Sequence, residues 1–478
     1  MERFEKLRAV GTLERYSTAR HDWKFYLGPA VTASYRLPKG HSQPLKDCIY
    51  KALGDVIAQH PILSAIPVDE STQNPYFVRL PEIQLQKCVF FRERQLDSDL
   101  DADVERDIEL DELLSTQHSV PYEPPNPFWQ VHIMTSSAHP SQFTASFLYH
   151  HALGDGASGI AFHRTFHSAL SKSFSISPAD LPSTSVIPSP STPLLPALES
   201  LHPLPVSTWY LLTILFKNKI WSARDLGLWT GSKCTAPFGQ SCVRHLAFSA
   251  RSTIAFKTLC RENGTTITGA LQTLIAGALF AHLPEKSTKL VCTGALSARR
   301  FLPEDARITD DSMGVWILDM SETYTRDRFP QHGDSGQGGR DLLPWTEAQR
   351  SRQNIEHVLS SKGQNAGVGL LGYVNDYQQE LFLSKVGKDR DSSFEVSNLG
   401  LFKPAAPAEE DEGVAIGRMV FTQSAGVTAS AIQVSVITGA DGCLVLGVSW
   451  QKGIVDDRLV EKAMQAVNAE MRRLVGTD

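Results

Sequence analysis

The sequence predicts an α/β protein made of two similar halves, and three observations carry that prediction. A strand–turn–strand–helix series occurs twice, a Ser/Pro-dense stretch separates the two occurrences, and further apolar runs recur at helical spacing. The chain length, 478 residues, exceeds one ordinary hydrophobic core and asks for roughly two to three packed units.

In the first series Trp129, Val131 and Ile133 alternate with polar residues. The turn-like SSAHPSQ follows, and Phe143, Ala145, Phe147 and Tyr149 alternate again. Successive strand side chains point to opposite faces, so this reads as strand, turn, strand. Phe162, Phe166, Ala169 and Leu170 then fall on one face of a helix. Near the C-terminus, AIQVSVITGADGCLVLGVSW repeats the paired strands, and Val460, Ala463, Met464, Val467 and Met471 mark the helix after them. A second kind of helix precedes each series. Leu45, Ile49, Ala52, Leu53, Val56 and Ile57 define one that stops near His60-Pro61, because the residue before proline disfavours helical angles. Leu271, Leu274, Ile275, Ala278 and Leu279 define the other. Residues 173–206 read as an irregular connector. The expected division is therefore 1–205, a crossover segment 206–240, and 241–478.

Composition removes several function classes. A net charge of −6 without a Lys/Arg cluster argues against a nucleic-acid partner, since phosphate binding needs concentrated basic charge. The start MERFEKLRAV has no apolar signal core. The seven cysteines are scattered without metal-type spacing, which predicts free thiols and a cytoplasmic location. The apolar stretch VSTWYLLTILFKNKIW (206–221) meets Lys217 well short of the ~20 apolar residues a membrane span needs.

The chemistry concentrates in SFLYHHALGDGASG (146–159), between the second strand and the helix of the first series. Aligning His150 with Gln451 of the second series brings Asp155 onto Asp456, so both series keep the aspartate and only the first has the imidazoles. Asp155 is accounted for as a helix N-cap; the histidines are not needed for the junction to fold. Strand alternation puts His151 on the apolar face with Tyr149 and His150 on the more polar face, where a cleft would begin. The reading therefore favours His150 as a proton acceptor near neutral pH. Metal binding finds no HExxH or Cys/His spacing, a serine nucleophile lacks its GxSxG elbow, and no P-loop or GxGxxG is present. A lone base suits proton abstraction from a hydroxyl or amine that attacks an activated acyl donor.

HHALGDG fits HHxxxDG, the signature of the superfamily that contains chloramphenicol acetyltransferase, plant BAHD acyltransferases and peptide-synthetase condensation domains. LERYSTARHDWKFYLGPAVTASYRLP, TTITGALQTLIAGAL, ALSARRFLP and EVSNLG resemble, in order, segments of its fungal and yeast alcohol acetyltransferase branch, so the resemblance spans nearly the whole chain. It implies two chloramphenicol-acetyltransferase-like subdomains, each a mixed or antiparallel sheet with packed helices, and an active-site channel between them. It also implies a monomer of fungal secondary metabolism. Acetyl-CoA would be the co-substrate and a small alcohol the acceptor, with no permanently bound cofactor and no metal.

By the same resemblance, His150 is the general base, with His151 beside it. Asp155 pairs with an arginine of the second half, Arg299 before Arg300, and Gly156 opens the helix without blocking the channel. Ser397 and Asn398 lie by the channel as candidate oxyanion donors, and Trp316 and Trp450 line the acceptor pocket. The plant branch's DFGWG is missing from this chain. Two readings stay open beside this one: use of a carrier-protein thioester for condensation or cyclisation, and a non-catalytic binding module. The inserts DRFPQHGDSGQGGRDLLP and KPAAPAEEDEG are expected to be mobile loops that gate access.

Overall fold

The computed structural model describes residues 4–40, 42–96, 106–178, 181, 184–220, 225–236, 238–330, 341–404 and 413–476. Most of the two predicted inserts, 331–340 and 405–412, lies outside the described residues.

Both predicted series form. The first gives strands Trp129–Thr135 and Gln142–Tyr149 and helix Gly156–Phe174; the second gives Ile432–Thr438, Leu444–Gln451 and helix Asp457–Val475. The aspartates cap the two helices as expected: Asp155 accepts from the Ser158 amide and Asp456 from the Arg458 amide. The predicted companion helices are Leu45–Gln59, ending at His60, and Ile267–His282.

Each series seeds one sheet. The first sheet has five strands in the order Ala415–Gln423, Pro29–Arg36, Gln142–Tyr149, Trp129–Thr135 and Val89–Glu93, antiparallel except for the last pair. The second has six, in the order Ser241–Phe248, Leu444–Gln451, Ile432–Thr438, Phe394–Leu401, Lys289–Ser297 and Ile317–Thr325. There Phe394–Leu401 runs parallel to both of its neighbours. Strand Gln142–Tyr149 is buried along its whole length. Its aromatic face packs on the helices, with Phe147 stacked on Phe162 at 3.8 Å between ring centroids. Burying such a side chain contributes roughly 1.5–3 kcal/mol. On the other face Thr144 and Ser146 accept hydrogen bonds from Arg94 and Thr32.

One expectation about the halves needs correction. Ala415–Gln423 belongs to the second half by sequence but adds to the first sheet, pairing antiparallel with Pro29–Arg36. A boundary at 241 therefore does not separate the sheets. The crossover follows from edge chemistry: the free edge of Pro29–Arg36 needs backbone partners, and the chain returning from the second sheet supplies them. All seven cysteines are unpaired, and no single helix among the described residues is long and apolar enough to cross a membrane.

Candidate active site

A cavity of about 500 Å³ separates the two sheets. The first half contributes Arg20, Tyr26, His151, Asp155 and Gly156 to its wall; the second contributes Thr293–Ser297, Arg299, Glu395, Ser397 and Asn398. The structure thus brings together His151, Asp155, Gly156, Arg299, Ser397 and Asn398 from the sequence reading.

His150, the expected base, is not on that wall. Its side chain is 1% exposed and sits beside Glu70, with Nε2 3.1 Å from Oε1. The alternation argument fails because the strand ends at Tyr149. From there residues 150–153 turn: the Leu153 amide donates to the His150 carbonyl at 2.9 Å, and the Ala152 amide to His150 Nδ1 at 3.0 Å. His151 stands at the bend of this turn and is carried into the cavity. Its ring lies 5.8 Å from that of Tyr26, and its Nδ1 is buried without a hydrogen-bond partner. Burial, with Arg20 and His150 adding to it, lowers the His151 pKa to about 3, so the ring is neutral and holds a free lone pair near pH 7. Tyr26 is braced in turn: its hydroxyl donates to Gln423 Oε1 at 2.9 Å, and the Arg20 guanidinium lies over its ring at 3.8 Å.

Asp155 braces the two halves against each other. Arg299 meets it with two hydrogen bonds, Nη1 to Oδ2 at 2.7 Å and Nη2 to Oδ1 at 2.9 Å, and the Trp316 amide donates to Oδ2 at 3.1 Å. Ser158 donates from both its amide and its hydroxyl to Oδ1. The carboxylate is saturated, and it ties the N-terminus of helix Gly156–Phe174 to the second half, where the Gly314 amide donates to Ser158 Oγ at 3.1 Å. Arg299 rather than Arg300 is the partner. A Cβ at Gly156 would sit 2.5 Å from Leu399 Cδ2, so any side chain there requires the tip of Leu399 to move.

Ser397 and Asn398 line the cavity, and each has a side-chain donor engaged within the second half. Ser397 Oγ donates to Glu395 at 2.8 Å, and Asn398 Nδ2 to Thr268 Oγ1 at 2.9 Å. The two tryptophans do not line it. Trp316 is buried with Nε1 donating to the Pro196 carbonyl, its ring beneath Arg299, while the following residues Ile317 and Leu318 reach the cavity. Trp450 packs in the core of the second half and donates to Asp457. Both indoles are packed in cores, where a large apolar side chain buries the most area.

Sequence reasoning missed Arg20, His21, Tyr26, Glu70 and Glu395. Arg20, His21 and Tyr26 stand in the quoted stretch LERYSTARHDWKFYLG, and Glu395 opens EVSNLG. Only a loop with no periodicity holds Glu70, and nothing local marks it.

The buried imidazoles also set the acid stability of the fold. Burial lowers His60, His132, His150 and His163 to about 4, and His118 and His151 to about 3, against about 6.5 in an unfolded chain. Between those values the unfolded state binds more protons, so stability is full above about pH 6.5 and is lost as pH falls below it. Each group contributes on the order of 1.4 kcal/mol per pH unit in that window. Thermal melts between pH 8 and 5 are expected to show a steep fall in Tm below about pH 6. A Tm flat down to pH 5 contradicts the buried neutral rings.

The two-lobed α/β fold is shared with solved acetyltransferase and condensation-domain structures. The trichothecene 15-O-acetyltransferase TRI3 of Fusarium sporotrichioides superposes with a TM-score of 0.72 at 14% identity, covering 98% of this chain and 95% of its own. The first condensation domain of the calcium-dependent antibiotic synthetase does so with 0.61 at 13%, covering 98% and 97%. In sequence, the probable alcohol acetyltransferase crmB of Aspergillus fumigatus is 34% identical over 471 residues, 96% of this chain and 97% of that protein. The probable alcohol acetyltransferase FCK4 of Fusarium pseudograminearum is 24% identical over 478 residues, 95% and 92%. The alcohol acetyltransferase profile matches residues 9–470. The chain belongs to the alcohol acetyltransferase family and is a transferase.

Proposed function

We propose that this protein transfers the acetyl group of acetyl-CoA to the hydroxyl of a small-molecule alcohol, with His151 as general base. The observation that carries the reading is the placement of His151: an uncharged imidazole on the wall of the interlobe cavity. Nε2 takes the proton of the acceptor hydroxyl as its oxygen bonds to the thioester carbonyl carbon. The tetrahedral intermediate then loses the C–S bond, and the departing CoA sulfur takes the proton back from the imidazolium. An ester and free CoA result, with no acyl-enzyme and an imidazole ready for the next cycle. The two lobes hold donor and acceptor in one cavity, which replaces a bimolecular encounter with a positioned one. The family supports acetyl-CoA as donor and an alcohol as acceptor.

The test is free-thiol release from acetyl-CoA by the purified chain across a panel of alcohols, with ester formation followed by mass spectrometry. Acceptor-dependent thiol release with a matching acetyl ester is expected. A folded protein that releases no thiol with any acceptor, but acts on a carrier-protein thioester, contradicts the proposal.

A further inference from the structure

Behind the catalytic turn, three side chains from distant parts of the chain form a buried cluster. His21 ends helix Thr12–Asp22, and Glu70 follows strand Ala65–Val68 in a tight turn. His150 is the first residue of the HHALGDG turn. Glu70 sits between the two imidazoles, with Oε2 2.8 Å from His21 Nδ1 and Oε1 3.1 Å from His150 Nε2. The rings meet edge-on at 4.4 Å between centroids. Asp69, just before Glu70, has φ +59°, the left-handed conformation that aspartate tolerates better than most residues, and this bend turns Glu70 inward.

The far nitrogen of each ring fixes the tautomers. His21 Nε2 accepts from the Tyr122 amide at 3.2 Å, and His150 Nδ1 accepts from the Ala152 amide at 3.0 Å. An amide N–H needs a lone pair, so the proton of each neutral ring is on the nitrogen that faces Glu70. The three groups have the composition of a metal site. With both facing nitrogens protonated, however, neither offers a lone pair to a cation. The cluster is a carboxylate hydrogen-bonded to His21 Nδ1–H, with His150 Nε2 3.1 Å from its other oxygen, a charge contact outside hydrogen-bond geometry.

We propose that Glu70, with His21, is a positioning device for the catalytic turn: by keeping the His150 proton on Nε2, it frees Nδ1 to bind the amide that immediately follows His151. This rests on the reading of His151 as base and adds what aims it. The logic is one of hydrogen-bond polarity. An amide at position 70 presents a donor to one of two donors, and the mismatch is relieved by moving the His150 proton to Nδ1. Nδ1–H then confronts the Ala152 N–H, and the turn loses the bond that sets its shape.

Glu70→Gln in the full chain is expected to lower kcat about 10- to 100-fold, with KM for acetyl-CoA within about twofold. A 1 Å misplacement of a reacting group suffices for a loss of that order. Ring-nitrogen NMR of uniformly 15N-labelled wild-type protein, with His150→Asn to assign the resonance, needs no active variant. It is expected to show His150 protonated on Nε2 and His21 on Nδ1. A wild-type His150 protonated on Nδ1, or a folded Glu70→Gln protein with wild-type kcat, overturns the proposal. Failure of the parent reading looks different: His151→Ala then stays active, whatever the tautomers are.

Discussion

Replacing His151 with alanine is expected to reduce acetyl transfer by about 10³-fold, within the 10²–10⁴ that a positioned general base contributes. The folded state should hardly change. The ring forms part of a cavity wall, its Nδ1 has no hydrogen-bond partner to lose, and its removal widens a space that already exists. A Tm within about 2 °C of wild type is the expected companion result, read by calorimetry on the same preparation. The neighbouring substitution behaves in the opposite way. His150→Ala removes the buried ring that faces Glu70 and takes away the acceptor of the Ala152 amide in the interior. Each buried group left unpaired costs roughly 1–3 kcal/mol, so Tm should fall by several degrees, with turnover lost only as far as the turn is disturbed. If His151→Ala keeps wild-type turnover, the assignment of the base fails.

The second large effect lies in the pair that joins the lobes. Asp155→Asn keeps the helix cap, since asparagine caps as well as aspartate, but leaves the Arg299 guanidinium buried without its counter-charge. Arg299→Met leaves the Asp155 carboxylate in the same state. Breaking one side of a buried ion pair costs about 3–5 kcal/mol, so each single variant should be strongly destabilised in denaturant unfolding. The double variant removes both charges and should lose much less than the two single losses together. Additive losses contradict the view that the pair acts as a unit. Activity should fall in both single variants as well, because the helix that Asp155 caps begins five residues after His151 was turned toward the cavity and shares its anchor on Gly314 and Trp316.

The strand–turn–strand–helix units were legible because local physics writes them. Alternation at Phe143, Ala145, Phe147 and Tyr149 fixes a strand, and Asp155 and Asp456 mark helix starts by the same capping chemistry. Resemblance supplied the Asp155–Arg299 pair, which no local rule contains. The choice between the two histidines was not legible. Face alternation holds only while the chain remains extended, and it ends at Tyr149, one residue too soon to decide. Glu70 was invisible for a related reason: a single acidic residue in a turn acquires meaning only from His21 and His150, which the fold brings to it. Strand Ala415–Gln423 was not read from the sequence, and its partner Pro29–Arg36 stands at the other end of the chain. The tryptophans show the reverse failing. Trp316 and Trp450 resemble pocket aromatics in composition, while packing sends both into cores.

A crystal structure of this protein with CoA bound tests the account most directly, because it locates the sulfur without relying on turnover. The expected result is a thiol in the interlobe cavity with room for an acceptor oxygen between it and His151 Nε2, at the roughly 3–3.5 Å approach that reacting atoms need. A sulfur lodged elsewhere, with His151 facing no part of the pantetheine arm, contradicts it.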